Sequence, residues 1–435
     1  MAARKLFGTD GVRGAVGEAL TGDLAMRLGR AAVLAAEAER PQVLIVRDTR
    51  ESGPMLEAAL AAGIAAGGGD ASIGGVLPTP AASVIARRLE FDLAVVVSAS
   101  HNPWADNGIK FFAGSGRKLD DEAEAAIEAR LEDDGGREVG RVRTLEGAAD
   151  DYLRELRTHF DLDLGGLKVV LDCANGATHR VAPAIFERLG AEVATIGAEP
   201  DGRNINDGCG ATSPQRLAEA VAGSEADVGF AFDGDGDRLI AVDGEGAVRN
   251  GDELIALAAR HLRERGELAG GVAVTVMTNY GFHQELEREG IELTVTDVGD
   301  RYVIEALVER GWNLGGEQSG HIIWTDFTPT GDGIAAALLT LRALGGRRLS
   351  KVEPFERLPQ RLESIRVADR AAIDNAESLW SAVEEENSKL EGRGRVLVRP
   401  SGTEPLLRVM VEAPDQQECD EVLARLVELA RRELA

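Results

Sequence analysis

Short runs of apolar residues recur along the chain, and a polar turn and then a segment with helical spacing follow each run. The clearest runs lie at residues 43–46, 169–172 and 272–276 and are rich in valine, leucine and isoleucine. Runs of this length and composition predict buried strands, and their alternation with helical segments predicts repeated β–α units. The pattern therefore predicts an α/β protein whose parallel or mixed sheets are covered by helices.

Breaks in this pattern predict four domains. A chain of 435 residues exceeds what one hydrophobic core usually supports. We expect three similar α/β mixed-sheet domains at 1–160, 161–256 and 257–366. A smaller C-terminal α+β domain follows at 367–435, with a helix at 376–390, a strand at 395–398 and a closing helix at 416–434.

Charge and cysteine content narrow the class of function. The formal net charge of −26 disfavours binding to nucleic acid or to an anionic membrane, so a site for anions must be a local basic pocket. The three cysteines show neither CxxC spacing nor an even disulfide set, which favours a cytoplasmic location. We also expect no signal peptide and no transmembrane helix, because no long apolar run is present.

Residues 233–238 (DGDGDR) carry the most informative chemistry. Asp233, Asp235 and Asp237 alternate with glycines directly after the apolar run at 228–232, so a tight turn can aim three carboxylates at one divalent cation. Oxygen ligands favour Mg²⁺, and the spacing does not fit an EF-hand, which needs glycine at the sixth position and glutamate at the twelfth. Arg238 suits an anion shared with the metal, such as a phosphate.

The apolar run at 93–97 ends in a second polar turn, residues 98–103 (SASHNP). Ser100 beside His101 suggests a serine hydrolase, but we discount that interpretation because the G-x-S-x-G elbow is absent and adjacent residues seldom point at each other. A phosphorylated Ser100 would instead supply a further oxygen ligand to the metal. Lys110 lies between apolar neighbours, which predicts a buried stem and a directed ammonium group.

Two further loops combine groups that bind sugars and phosphates. Residues 315–321 offer the carboxylate of Glu317, the hydroxyl of Ser319 and the imidazole of His321 on a glycine-rich scaffold. Residues 399–408 offer guanidinium, hydroxyl and backbone N–H groups, the parts of a phosphate cradle, without a Walker A pattern. The members of that cradle are Arg399, Ser401, Gly402, Thr403 and Arg408.

With these motifs in order, the chain resembles the α-D-phosphohexomutase family along its whole length. The turn at 98–103 is similar to the family's phosphoserine loop, 233–237 to its Mg²⁺ loop, 316–321 to its sugar-binding loop and 399–403 to its phosphate-binding loop. Residues 5–14, 316–323 and 401–412 are similar to the bacterial branch that acts on glucosamine phosphates. The resemblance implies a four-domain architecture around a central cleft.

The resemblance also implies a mechanism. Ser100 would be phosphorylated and would join the three aspartates around Mg²⁺. Its phosphoryl group would pass to glucosamine 6-phosphate and return from the 1,6-bisphosphate, releasing glucosamine 1-phosphate for UDP-N-acetylglucosamine synthesis. Arg13, Lys110, Arg238 and His321 would line the cleft. Proton transfer falls to Lys110 or His321, and a lysine would need a depressed pKa in a cationic cleft, whereas a histidine needs little tuning.

Three alternatives stay open. The same chemistry on glucose or mannose phosphate would make the chain a phosphoglucomutase or phosphomannomutase, although Gln318 and the terminal motifs count against it. A metal-dependent phosphatase would release orthophosphate from Ser100, and a sugar-phosphate sensor would be catalytically silent. As partners, the resemblance implies a sugar phosphate, a homodimer formed through the first domain, and either a kinase or a hexose 1,6-bisphosphate activator that first charges Ser100.

Overall fold

The computed structural model describes residues 6–8, 10–134, 138–368, 370–400 and 405–434. They form two compact units, Met1–Val276 with Thr294–Val352 and Met277–Leu293 with Glu353–Ala435. Among the described residues, no helix combines the length and the apolar character needed to cross a membrane.

The first unit opens with a six-stranded mixed sheet. Its strands lie in the order β1-β5-β4-β2-β3-β6, where β1, β2, β3, β4 and β6 run in one direction and β5 runs against them. Their bounds are β1 Val12–Ala15, β2 Gln42–Arg47, β3 Asp70–Val76, β4 Leu93–Val97, β5 Asp106–Ala113 and β6 Val142–Thr144. The helices of this region are α1 Gly22–Ala35, α2 Gly53–Ala66, α3 Thr79–Arg88, α4 Asp121–Glu128 and α5 Ala148–Phe160.

A five-stranded sheet follows in the order β11-β10-β9-β7-β8. Strand β9 is parallel to β7, and β10 returns beside it in an antiparallel hairpin that pairs Phe232 with Leu239. The bounds are β7 Lys168–Asp172, β8 Glu192–Ile196, β9 Val228–Phe232, β10 Leu239–Asp243 and β11 Val248–Arg249, with helices α6 Val181–Arg188 and α7 Gln215–Ala222. The aspartate-rich segment is therefore the turn of a buried hairpin.

The third sheet has four strands in the order β13-β12-β14-β15. Their bounds are β12 Val272–Thr275, β13 Leu293–Thr296, β14 Leu314–Gly316 and β15 Ile322–Trp324. Helices α8 Gly251–Glu264, α10 Asp300–Arg310 and α11 Gly333–Leu344 belong to the same unit, and α9 Tyr280–Glu289 belongs to the other. Asn250 and Glu253 form a reciprocal capping box that starts α8.

The second unit contains a three-stranded antiparallel sheet in the order β16-β18-β17. Its elements are β16 Gln360–Arg366, α12 Glu377–Leu390, β17 Arg395–Pro400, β18 Leu406–Glu412 and α13 Gln416–Leu434. A buried carboxylate joins the start of α9 to the end of β18. Glu412 of β18 accepts from the side chain of Asn279, the residue before α9, at 3.1 Å and pairs with Arg395 at 2.7 Å. The predicted α/β class with mixed sheets and a C-terminal α+β region is confirmed, and the domain boundaries stay a prediction.

The buried carboxyl of Asp332 makes stability depend on pH. Asp332 caps α11 by accepting from the Ala335 N–H at 2.9 Å, and the Tyr152 hydroxyl donates to its Oδ2 at 2.9 Å. Burial raises the pKa of Asp332 from 3.8 to about 7. The folded chain therefore holds a proton that the unfolded chain releases, so this contribution to stability is present at low pH and is lost as pH rises from about 4 to about 7.

We expect Asp332→Asn to become more stable relative to the original protein as pH rises through this window. The difference in the free energy of unfolding should change by up to about 4 kcal/mol, less the hydrogen bond that the amide cannot replace. Denaturant unfolding of both proteins between about pH 4 and pH 8 measures it. Asp120, the exposed cap of α4, provides the matched Asp→Asn control. A stability difference independent of pH would contradict the prediction.

Candidate active site

The hairpin turn between β9 and β10 brings the three aspartates together. Carboxylate oxygens of Asp233, Asp235 and Asp237 lie within 4.8 Å of one another, and all three residues are buried. Gly236 adopts a φ of +72°, which lets the turn close. A Cβ on Gly234 would stand 2.5 Å from the Ser100 carbonyl oxygen, so glycine permits the close approach of the two loops.

The donor set fits a hard divalent cation. Asp235 Oδ1 and Asp237 Oδ1 are buried and have no hydrogen-bond partner among the described residues. Burial and the charges of Asp237 and Asp235 raise the pKa of Asp233 well above 3.8. Three oxygen donors that repel one another and leave two atoms unsatisfied are the arrangement that a cation such as Mg²⁺ stabilises.

Ser100 lies in the turn after β4 and faces this cluster. Its Oγ donates to Asp233 Oδ2 at 2.5 Å. The backbone of Ser100 has a φ of +51°, a left-handed conformation that costs free energy for a residue with a Cβ. The surrounding hydrogen bonds maintain it, because the Ser100 N–H donates to Ser98 Oγ at 3.0 Å and its carbonyl accepts from Asn206 at 2.9 Å. The serine hydroxyl is thus held in place beside the carboxylates.

A buried arginine supports the same turn. Arg50 is 0% exposed and pairs with Asp48 Oδ2 at 2.8 Å. Its guanidinium donates to the carbonyl oxygens of Ser100 at 2.9 Å and Asn102 at 2.8 Å, and also to those of residues 103 and 106. A guanidinium group has five donors in a fixed plane, so one side chain can order a whole loop. Arg50 lies in the polar turn that follows the apolar run at 43–46, and its sequence carried no signal of this role.

Lys110 reaches the cluster from β5, where it pairs with Val96 of β4. It is 1% exposed, which confirms the predicted buried stem. Its Nζ lies 2.9 Å from Asp235 Oδ2 and 3.1 Å from Asp10 Oδ2. Burial alone would lower the pKa of Lys110, but the charges of Asp10 and Asp235 outweigh it and raise the pKa. The depressed pKa that a proton-transferring lysine would need is therefore not found here, because the close neighbours of Lys110 are carboxylates.

His321 approaches the cluster from the other side. Its Nδ1 lies 3.6 Å from Asp237 Oδ2 and its Nε2 lies 3.7 Å from Asp300 Oδ2. The Gly331 N–H donates to Nε2 at 3.2 Å, so the neutral ring carries its proton on Nδ1 and directs it towards Asp237. Burial lowers the pKa of His321, and the charges of Asp237 and Asp300 more than compensate, so the pKa is raised.

The predicted sugar-binding residues lie in a short turn after β14. Glu317 accepts from the Gly299 N–H at 3.1 Å, and the Ser319 hydroxyl lies 3.4 Å from its other oxygen. The carbonyl of Gly320 accepts from the Leu239 N–H at 2.9 Å, which ties this turn to the first residue after the aspartate-rich loop. The structure thus brings the aspartate-rich loop and the predicted sugar-binding loop together, with the glycine-rich scaffold limited to 317–321.

Arg13 and Arg238 complete the residues predicted for this part of the site. Arg13 forms an ion pair with Asp10. Arg238 donates its backbone N–H to Asp233 Oδ1 at 3.2 Å, and its Nε lies 3.9 Å from Asp237 Oδ1. Burial lowers the pKa of Arg238, but the charges of Asp237 and Asp233 raise it overall. Both arginines are therefore held beside carboxylates.

In the second unit, Arg399 and Arg408 are opposite each other across β17 and β18. Residues directly opposite in an antiparallel pair share a face of the sheet, so these two half-buried arginines belong to the same face. Two arginines on one face of a hairpin suit the binding of an anion. Ser401, Gly402 and Thr403 lie outside the described residues.

The structure also corrects the expectation that Ser100 and His101 do not contact each other. Adjacent residues were expected not to point at each other, yet His101 Nδ1 lies 3.3 Å from Ser100 Oγ. Burial, followed by the charges of Arg238 and Arg13, lowers the pKa of His101. The contact occurs at a residue with a left-handed backbone, a conformation that few residues with a Cβ adopt. Sequence spacing alone could not reveal this conformation.

Comparisons with known proteins agree with this geometry. Four family models match in order: "Phosphoglucomutase/phosphomannomutase, alpha/beta/alpha domain I" at residues 4–137, domain II at 150–246, domain III at 250–361 and the C-terminal domain at 362–429. A phosphoglucosamine mutase of Pelotomaculum thermopropionicum is 51% identical over 98% of this chain and 99% of its own length. That of Bacillus subtilis is 45% identical over 99% of both. A solved phosphoglucomutase/phosphomannomutase family protein of Burkholderia thailandensis has a TM-score of 0.82 at 24% identity, covering 99% of this chain and 98% of its own.

Proposed function

The chain belongs to the phosphoglucomutase/phosphomannomutase family, and from its full-length phosphoglucosamine mutase relatives we propose that it interconverts glucosamine 6-phosphate and glucosamine 1-phosphate. It is an enzyme, an isomerase of the phosphoglucosamine mutase type, as its full-length relatives are. The observation that carries the proposal is the Ser100 hydroxyl, which lies 2.5 Å from Asp233 in a buried cluster of three aspartates.

We infer that Ser100 carries the phosphoryl group between turnovers. In the first half-reaction, the sugar hydroxyl at C1 attacks the phosphorus on Ser100, the bond from phosphorus to Oγ breaks, and the proton of the sugar hydroxyl ends on Oγ. The second half-reaction reverses these roles with the phosphate at C6. Asp233, Asp235 and Asp237 would hold Mg²⁺, which polarises the phosphoryl group when bound.

The other residues orient the sugar and move the proton. Glu317 and Ser319 would bind ring hydroxyls, which the two orientations of the substrate present similarly. Arg13 and Arg238 would bind phosphoryl oxygens. Lys110 and His321 are the candidates for carrying the proton, and His101 joins them because of its contact with Ser100.

The hairpin of the second unit would bind the phosphate that is not reacting. Arg399 and Arg408 supply the charge there, and we assign Ser401, Gly402 and Thr403 to the same cradle from the sequence. Binding energy from this remote phosphate would orient the reacting end of the sugar. A hexose 1,6-bisphosphate or a kinase would charge Ser100 first, and a homodimer formed through residues 1–160 stays a prediction.

The test is ³¹P NMR of the purified protein with Mg²⁺, a trace of glucose 1,6-bisphosphate, and glucosamine, glucose or mannose 6-phosphate in parallel. We expect glucosamine 1-phosphate to form fastest. Faster conversion of glucose or mannose 6-phosphate would keep the mechanism and overturn the substrate. Orthophosphate as the main product would overturn the mutase and indicate a phosphatase.

A further inference from the structure

Lys118 forms a buried link between two acidic residues near the site. It follows β5 along the chain, and its side chain is 17% exposed. Its ammonium group lies 2.5 Å from Asp10 Oδ1 and also forms an ion pair with Asp300. Burial alone would lower the pKa of Lys118, but the charges of Asp10 and Asp300 raise it strongly, so this group stays charged across the physiological range.

Each of the two acidic residues contacts a different proposed proton carrier. Asp10 uses its second oxygen, Oδ2, to pair with Lys110 at 3.1 Å, and Asp300 lies 3.7 Å from His321 Nε2. Lys110 in turn contacts Asp235, and His321 contacts Asp237. Positive and negative groups therefore alternate from one end of the aspartate cluster to the other, and Lys118 stands in the middle of this chain of contacts.

Removal of the Lys118 ammonium group would disturb both Asp10 and Asp300. Without the ammonium group, Asp10 would keep Lys110 and Arg13 as partners, but Asp300 would lose its ion pair with Lys118. The charge that holds the two carboxylates together would be gone, which favours rotation of their side chains or uptake of a proton. Movement of Asp10 would displace the Lys110 ammonium, and movement of Asp300 would release the His321 ring. When groups that contact the reacting atoms are displaced, the rate of the chemical step falls more than substrate binding weakens.

We propose that Lys118 is a positioning residue that sets the relative placement of Lys110 and His321 through Asp10 and Asp300. The proposal rests on the proposed mutase function, in which Lys110 and His321 are the candidates for proton transfer. It assigns a role to a residue that lies outside the four motifs, in the segment between β5 and α4.

The experiment compares Lys118→Met, Lys118→Arg and the matched control Lys168→Met. Lys168 forms an exposed ion pair with Glu225 at 2.6 Å, so its loss removes an equal charge from the surface. For Lys118→Met we expect kcat to fall about 10- to 100-fold, the range found when residues that orient metal ligands are changed. The KM for glucosamine 6-phosphate should change less than about threefold. Lys118→Arg keeps the charge and should recover most of the loss, and Lys168→Met should behave as the original protein.

A second measurement does not depend on turnover. The side-chain ¹H–¹⁵N signals of the six histidines report ring environment, and loss of one signal in His321→Gln assigns His321. The chemical shift of the His321 signal should change in Lys118→Met and should stay the same in Lys168→Met. An unchanged kcat or an unmoved His321 signal in folded Lys118→Met would overturn the proposal. If Lys118→Met does not fold, Asp10→Asn interrupts the same chain of contacts on the side of Lys118 away from His321. The His321 signal should then move because Lys118 transmits the change, and an unmoved signal or an unchanged kcat would again overturn the proposal.

These results separate the positioning role from the proposed function. A wild-type protein that converts no hexose phosphate would refute the mutase, and the His321 signal would still decide whether Lys118 positions that ring. A wild-type protein that is active while Lys118→Met matches it would refute only the role of Lys118.

Discussion

Replacement of Ser100 by alanine is expected to lower kcat by on the order of 10⁴-fold or more, because it removes the oxygen that accepts and returns the phosphoryl group. The buried position of Ser100 beside Asp233 leaves little room for water to substitute for that oxygen. Alanine and serine pay the same cost for the left-handed backbone at this position, so the loss reports chemistry and not refolding of the turn.

Two measurements check this expectation. ³¹P NMR follows the conversion of glucosamine 6-phosphate, and intact-mass spectrometry of the protein after incubation with the 1,6-bisphosphate detects the phosphoryl group on the chain. Ser224→Ala makes the same change at an exposed serine and should leave both readouts unaltered. Substantial turnover by Ser100→Ala, or a phosphorylated Ser100→Ala protein, would show that another residue carries the phosphoryl group.

Replacement of Asp233 by asparagine is expected to have opposite effects on stability and on catalysis. Asp233 is buried beside two other carboxylates, and their charges oppose its own. A neutral amide of the same shape relieves that repulsion, so the variant should be at least as stable as the original protein when EDTA removes divalent cations. The same change removes a negatively charged ligand, so kcat should fall by about 10²- to 10³-fold, equal to several kcal/mol of electrostatic stabilisation.

Mg²⁺ should stabilise the original protein and Asp233→Asn to different extents. A ligand that binds only the folded state stabilises it by about 2.7 kcal/mol when its concentration is 100 times the Kd. We therefore expect Mg²⁺ to raise the unfolding temperature of the original protein and to have much less effect on Asp233→Asn. Scanning calorimetry with EDTA and with Mg²⁺ measures both. Asp150→Asn, at an exposed carboxylate, should respond to Mg²⁺ as the original protein does. Equal stabilisation of Asp233→Asn would show that the cation binds elsewhere.

Much of the site could be predicted because its motifs are local. Short apolar runs predicted β4 and β9, and each is buried along its whole length in the structure. The polar turns that follow them meet at one place, since Ser100 Oγ contacts Asp233 and Lys110 contacts Asp235. Open α/β sheets place their ligands at the carboxyl ends of their strands, so a polar turn in that position is a predictable candidate for a site.

The supporting contacts could not be predicted. Arg50 follows β2 in a segment that looks like an ordinary polar turn, yet it is fully buried and orders the turn around Ser100. Lys118 lies in a polar segment typical of a solvated surface, yet it pairs with Asp300, 182 positions further along the chain. No local pattern distinguishes these two side chains from the many charged residues that face water.

The sequence by itself therefore determined the alternation of strands and helices and the four chemical motifs, because periodicity and short motifs depend on neighbours along the chain. The class of reaction followed from the family resemblance that those motifs carry. Only the tertiary structure decided which charges face one another. It surrounded Lys110 with carboxylates, turned Ser100 towards His101 and joined Asp10 to Asp300 through Lys118. These pairings depend on distances through space and on burial, and both arise only when distant segments pack together.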